Sequence, residues 1–303
     1  MPGTSQTRAY LALLLITILW GSYPAITKAA YRDFPPLFLG TARVALAAAF
    51  LTWQLFRAGE PATRGLSPAA LRAFLVLGIC GIVISTQLSY LAIYFTTAAN
   101  VALLQAATPV LVALGARFHL GERLTRAQWL GVALSAAGVL LIISHGRLGA
   151  LAPGEIRAGD VINLVGLTGW AAYTVYGKRV LALYSPALAT TGAYVLGTLV
   201  MIPIAIVTAP LFPAPRLASP IGWFVVLYQA ILGGIAHVWW YRAVQTVGPS
   251  RSAIFMNVQP IVGVGLAAAL LGERVGVVQV LGGICVLAGV AVTTRSQAGR
   301  CPA

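Results

Sequence analysis

Leu120-Gly121-Glu122-Arg123 and Leu271-Gly272-Glu273-Arg274 are one tetrapeptide written twice, 151 residues apart. Eleven residues ahead of each stands a proline, Pro109 and Pro260. Behind each the same pattern runs on: Gln128, Leu130, Gly131, Ala137, Gly138 and Val139 match Gln279, Leu281, Gly282, Ala288, Gly289 and Val290. Nearer the start the offset is 150, and Trp20, Tyr23 and Lys28 return as Trp170, Tyr173 and Lys178, followed by Pro36 and Pro186. The chain therefore reads as two copies of one unit, residues 1–150 and 151–303.

Of 303 residues, 59% are hydrophobic and 9% charged, against about 25% charged in soluble domains. Such a chain belongs in a bilayer, whose core of about 30 Å takes about 20 apolar residues per helix. The apolar runs are continuous rather than alternating, which argues against a membrane barrel. Ten stretches qualify: 9–30, 36–56, 71–95, 98–117, 127–144, 161–178, 186–209, 220–241, 252–271 and 275–294. Nothing from Ala73 to Ala116 is charged, and Thr96-Thr97 marks the turn inside that run. The expected fold is all-α and polytopic, with ten transmembrane helices. Five per copy is odd, so the second copy enters from the opposite face, giving two inverted five-helix repeats of the kind secondary transporters use.

Thirteen of the 20 Lys and Arg fall on the side holding the N-terminus and six on the other, with Arg43 alone inside a span. The positive-inside rule then puts both termini in the cytoplasm. The first apolar run lacks a small-residue cleavage site and reads as a retained helix rather than a signal peptide. A net charge of +14 invites nucleic acid, but the basic residues sit singly at helix ends and form no patch. Cys80, Cys285 and Cys301 have no metal spacing and read as packing residues. No metal or other cofactor is expected.

All six carboxylates (Asp33, Glu60, Glu122, Glu155, Asp160 and Glu273) fall in loops or at helix ends. An intramembrane anion is what a cation exporter or a carboxylate-based proton carrier needs, so the pattern points to a neutral or zwitterionic cargo. Arg43 reads either as a snorkelling side chain or as a clamp for a carboxylate or phosphate. His237 reads as a tie between helices or as a cavity group. Polar groups facing lipid would be unsatisfied, which turns Thr86, Gln87, Tyr90, Gln105, Asn257 and Gln259 toward the bundle interior, as helix ties or as substrate contacts. Trp20, Tyr23, Trp170 and Tyr173 lie too deep for interfacial anchors and occupy matched places; with Tyr241 they complete the candidate substrate-binding set. Pro24, Pro109 and Pro260 free the carbonyls of Trp20, Gln105 and Met256, either to receive a substrate amino group or to be satisfied by a neighbouring hydroxyl. No GxxxxGK[ST], no HExxH and no intramembrane acidic pair is present, so no enzyme is read here.

The doubled signature of a proline, then L-G-E-R, then Q-x-L-G and A-G-V resembles the EamA-type branch of the drug/metabolite transporter superfamily. Leu19-Trp20-Gly21-Ser22 followed by Lys28 resembles that family's first helix. The subgroup most resembled is bacterial exporters of aromatic and other neutral amino acids. The resemblance implies ten helices, alternating access through a central cavity bordered by Trp20, Tyr23, Trp170 and Tyr173, and residence in the inner membrane. Pro109, Glu122, Arg123, Pro260, Glu273 and Arg274 are carried over as gating or structural residues. The multidrug branch uses a buried Glu in its first helix, and the matching stretch here has none. The expectation is a monomeric secondary transporter exporting amino acids or similar small metabolites. The alternatives are an exchanger of anionic sugar phosphates or nucleotide sugars, and a membrane scaffold.

Overall fold

The computed structural model describes residues 3–58, 67–119, 121, 125–144 and 157–298. Glu60, Glu122, Arg123 and Glu155 lie outside them. The first copy contains α1 (Gly3–Ala30), α2 (Pro36–Arg57) and a long rod made of α3 (Pro68–Leu77), a π-helical stretch (Gly78–Gln87) and α4 (Leu88–Phe95). It continues with α5 (Ala98–Gln105), α6 (Thr108–His119) and α7 (Arg126–Ser144). The second contains α8 (Ala158–Val180), α9 (Pro186–Thr208), α10 (Pro220–Val247), α11 (Pro249–Ile254), a 3-10 turn (Phe255–Asn257), α12 (Val258–Leu271) and α13 (Val277–Ala298). No strand occurs among the described residues. Seven helical spans are long and apolar enough to cross a membrane, or eight if α5 and α6 count as one bent span.

The repeated motif residues shape chain ends. Gly272 closes α12 in the left-handed region at φ 64°, and Gly121 takes φ 71° at the matching place, a conformation glycine adopts without steric cost. Gln128 Oε1 accepts the Thr125 N–H and Gln279 Oε1 accepts the Gly276 N–H, both at 2.7 Å. Each glutamine thus caps the start of its own helix. Ser67, Ser185 and Ser219 cap α3, α9 and α10, each followed directly by proline, which suits the first helical turn because its missing N–H is not needed there.

The stretch expected as one rod over 98–117 is two helices bent by 42° around Ala106 and Ala107. Pro109 falls in the first turn of α6 and Pro260 in the first turn of α12, just after the 3-10 turn. Proline cannot continue a ladder from the preceding turn but can open a new one; the first copy bends at this place, and the second passes through a 3-10 turn there within one continuous span.

The copies interlock. α1 leaves its own half to lie against α10 and α12, while α8 lies against the π stretch, α4 and α6. The repeat-matched helices α7 and α13 run antiparallel along a glycine seam. A Cβ on Gly138 would meet the Gly282 carbonyl at 2.5 Å, and one on Gly289 the Gly131 carbonyl at 2.4 Å. No side chain fits there, which is the close approach small residues allow between helices in lipid. Leu15, Phe56, Ile206, Val207 and Phe224 are exposed, supplying apolar surface to the bilayer.

Candidate functional site

Between the two copies lies a cavity of about 100 Å³. α1 contributes Trp20, Tyr23, Pro24 and Thr27; α2 contributes Arg43; the π stretch and α4 contribute Ser85, Thr86, Ser89, Tyr90 and Ile93. Opposite them stand Gln105 of α5, Asn163, Gly166, Leu167 and Trp170 of α8, His237 of α10, and Met256 and Gln259 in and just after the 3-10 turn. Ligand pockets typically run to about 300–1,000 Å³, so this conformation holds several waters or one end of a solute, not a whole aromatic amino acid. Among the described residues no three His, Cys, Asp or Glu side chains come together to hold a metal ion.

Toward the end where α1 begins, the cavity rests on aromatic rings. Trp20 meets Trp170 edge-on at 5.1 Å, and both lie 5.5 Å from Trp240. His237 sits 5.0 Å from Trp20 and 5.4 Å from Trp170. Below, Tyr173 stacks on Tyr241 at 4.6 Å, and the Tyr241 hydroxyl donates to the Tyr173 carbonyl at 3.1 Å. His237 Nδ1 lies 2.8 Å from the Gly233 carbonyl and 3.0 Å from the hydroxyl of Tyr194, a buried residue of α9. A carbonyl only accepts, so Nδ1 carries a proton, and in neutral imidazole Nε2 then offers a lone pair. Nε2 is buried without a partner, as are the indole nitrogens of Trp20 and Trp170.

Arg43 is buried at 2% exposure; it does not snorkel. Its guanidinium carbon lies 5.9 Å from the Tyr23 ring centre and 5.8 Å from that of Tyr90, within the range of cation–π attraction. The Tyr90 hydroxyl donates to Gln229 Oε1, and Gln229 Nε2 donates to Thr27 Oγ1 at 2.9 Å. This chain of neutral groups ties α1, α4 and α10 together beside the cation.

At the opposite end the contacts are polar. Lys28 donates to the Thr96 carbonyl and lies 3.5 Å from Glu273. Glu273 accepts the backbone N–H groups of Ala98 and Ala99 at 3.1 and 2.9 Å, where the positive end of the α5 dipole favours a carboxylate. Asp160 is fully buried in the first turn of α8. It accepts from Thr96 Oγ1 at 2.6 Å and from Asn100 Nδ2 at 3.2 Å. Gln279 in turn donates to Asn100 Oδ1. Arg274 is exposed.

Of the residues singled out from sequence, Trp20, Tyr23, Thr86, Tyr90, Gln105, Trp170, His237 and Gln259 line the cavity together with Arg43. Gln87 instead donates to the Leu37 carbonyl and to Thr41, joining the π stretch to α2. Tyr173 and Tyr241 lie beneath the aromatic floor, and Asn257 sits in the 3-10 turn outside the lining. The Gln105 carbonyl is taken by Thr108 Oγ1 at 2.6 Å, so of the carbonyls freed by proline this one is already satisfied. Sequence reading passed over Thr27, Asn163, Gln229 and Tyr194. A fully buried glutamine in the middle of an apolar span was the available signal for Gln229.

A family model described as "EamA-like transporter family" matches residues 7–144 and again 157–295. An "Uncharacterized transporter YyaM" of Bacillus subtilis is 30% identical over 93% of this chain and 92% of its own length. A "Probable amino-acid metabolite efflux pump" of Salmonella typhimurium is 28% identical, with 94% of each chain covered. An "Uncharacterized inner membrane transporter YedA" of Escherichia coli is 27% identical over 93% of this chain and 89% of its own. A solved structure described as "Crystal structure of protein" superposes with a TM-score of 0.67 at 20% identity, covering 96% of this chain and 97% of the other. That last likeness concerns the fold alone.

Proposed function

The chain belongs to the EamA-like transporter family, a family of multi-pass membrane transporters and not of enzymes, and we propose that it exports amino acids, aromatic and other neutral ones, or similar small metabolites. The carrying observation is the meeting of Trp20 and Trp170, repeat-matched residues of α1 and α8, edge-on at 5.1 Å in the wall of one cavity. A scaffold has no use for matched polar and aromatic groups at that depth; a path does. The relative described as an amino-acid metabolite efflux pump supports the choice of cargo.

In this reading ten helical segments cross the bilayer, with α5–α6 and α11–α12 each counted once, and both termini lie in the cytoplasm of an inner membrane. The antiparallel glycine seam between α7 and α13 supports an inverted relation between copies. Access alternates as the aromatic floor and the polar contacts at the opposite end open in turn. The lone Arg43 among the lining residues disfavours nucleotide sugars, whose several charges need several cations.

The test is efflux from protein-only liposomes loaded with a panel of labelled amino acids. Loss of phenylalanine or another neutral amino acid well above that from empty liposomes is expected. Retention of the whole panel in sealed, protein-containing vesicles would overturn the reading.

A further inference from the structure

We propose that Arg43 is the seat of a carboxylate on the cargo, so that the cavity reads the solute's negative charge rather than its ammonium group. The proposal rests on the cavity being the transport path. Arg43 lines that cavity and is buried, yet Nε and Nη1 have no hydrogen-bond partner. An arginine cannot shed its charge as a buried lysine can. The side chains around it, Tyr23, Tyr90 and Tyr194, are neutral phenols, and the Tyr90 and Tyr194 hydroxyls stand against the guanidinium without bringing it a negative charge.

The described carboxylates are held elsewhere. Asp160 is bound by Thr96 and Asn100, Glu273 by Lys28 and the start of α5, and Asp33 by Arg216 and Ser219. A fixed cation left without an anion in the bundle interior is unfavourable unless something arrives to pair with it. Nε and Nη1 point to different edges of the planar guanidinium, so a carboxylate pairs with either of them, alone or together with Nη2. Gly233 lets the guanidinium and the Tyr23 hydroxyl pack against α10, since a Cβ there would sit 3.1 Å from Nη1 and 2.8 Å from that hydroxyl.

The ammonium end has a different welcome. The unpartnered acceptors on the lining are Gln105 Oε1, the Tyr23 hydroxyl and, in neutral imidazole, His237 Nε2, none of them a carboxylate, with the faces of Trp20 and Trp170 beside them. An amino group fits there, but no fixed charge demands it. Acids that lack the ammonium group should therefore bind, and amines that lack the acid should not.

The experiment uses the full chain in liposomes loaded with labelled phenylalanine, with phenyllactate (acid, no ammonium) or phenylalaninamide (ammonium, no acid) as competitors. Phenyllactate is expected to compete and phenylalaninamide to be weaker by about tenfold or more. Arg43→Gln should lose most transport and the acid preference together, and Arg43→Lys should restore part of both. Equal competition by the two compounds, or an acid preference that survives Arg43→Gln, overturns the seat.

Thermal unfolding of the purified chain with phenyllactate, benzoate and their amides separates the two claims. Acid-specific stabilisation absent from Arg43→Gln, with no phenylalanine movement in wild type, sinks the amino-acid cargo and keeps the seat. Phenylalanine movement without acid-specific stabilisation keeps the cargo and sinks the seat. Removing an unpaired buried charge should leave Arg43→Gln at least as heat-stable as wild type; a large loss of stability would mark Arg43 as structural and overturn the seat as well.

Discussion

The packing on the two sides of the cavity is of different kinds. Where α1 begins, it is rings against rings: Trp20, Trp170 and Trp240 meet at 5.1–5.5 Å above the Tyr173–Tyr241 stack. Where α1 ends, it is a string of charge-assisted hydrogen bonds through Lys28, Thr96, Asp160, Asn100 and Glu273. Aromatic contacts are broad and tolerate sliding, since many weak dispersion terms fade together. Hydrogen bonds are directional and give way one at a time. The aromatic end therefore suits a surface that reshapes around a solute, and the polar end suits a catch that is open or shut.

Four substitutions probe this contrast, the most damaging first. Trp240→Ala removes a side chain with 0% exposure from the centre of the ring cluster. A loss of about 3–5 kcal/mol is expected from the lost burial and the cavity left behind, read as a lowered unfolding temperature in detergent together with collapsed efflux. Near-wild-type stability would show the rings are not a cohesive block.

Asp160→Ala leaves the Thr96 hydroxyl and the Asn100 amide without their carboxylate. It should cost about 2–3 kcal/mol, and the double variant with Asn100→Ala should fall short of the sum of the two single losses because their shared contact is counted once, although Asn100→Ala also releases Gln279. A fully additive double variant would break the picture of a connected string.

Glu273→Gln keeps one acceptor oxygen for the Ala98 and Ala99 amides, which the two carboxylate oxygens of Glu273 accept separately, and gives up the attraction to Lys28. About 0.5–1 kcal/mol is expected, seen as transport rates altered a few-fold with the ranking of competing substrates unchanged. High salt should mimic this change and leave the Trp240 variant's deficit as it was. A changed substrate ranking would move Glu273 from the catch into the site.

Arg216→Ala should do least. Its side chain is 76% exposed and stands 3.6 Å from Asp33, so a shift within about 0.5 kcal/mol is expected. A larger effect would mean that the loop ahead of α10 takes part in the packing at this end.

Much of the fold was legible because membrane crossing writes itself into composition. The apolar runs, the doubled L-G-E-R and the recurring glutamine and glycine each have a local role now visible: glycine stops α12, glutamine caps α13, and glycines line the α7–α13 seam. The break at Ala106–Ala107 was less legible. A proline inside an apolar run signals a kink and the start of a new helix equally, and only the surrounding packing selects between them.

For the site, position in the sequence placed Trp20, Tyr23, Trp170 and His237 among the candidates. It could not separate Tyr173 and Tyr241, which lie beneath the floor, from Tyr90, which faces the cavity. Depth in the bilayer is a one-dimensional quantity that a sequence records, whereas the direction a side chain faces depends on which neighbour its helix meets.

The sequence by itself determined that this chain lives in a bilayer, is built twice and has few charges inside, because hydrophobic length and repeat spacing are properties of the strand of residues alone. Only the tertiary structure decided that Arg43 is enclosed without an anion while Asp160 is enclosed with its partners. Burial and pairing are relations between segments far apart in the chain: α2 meets α4 and α10 around one charge, and α8 meets the α4–α5 turn around the other.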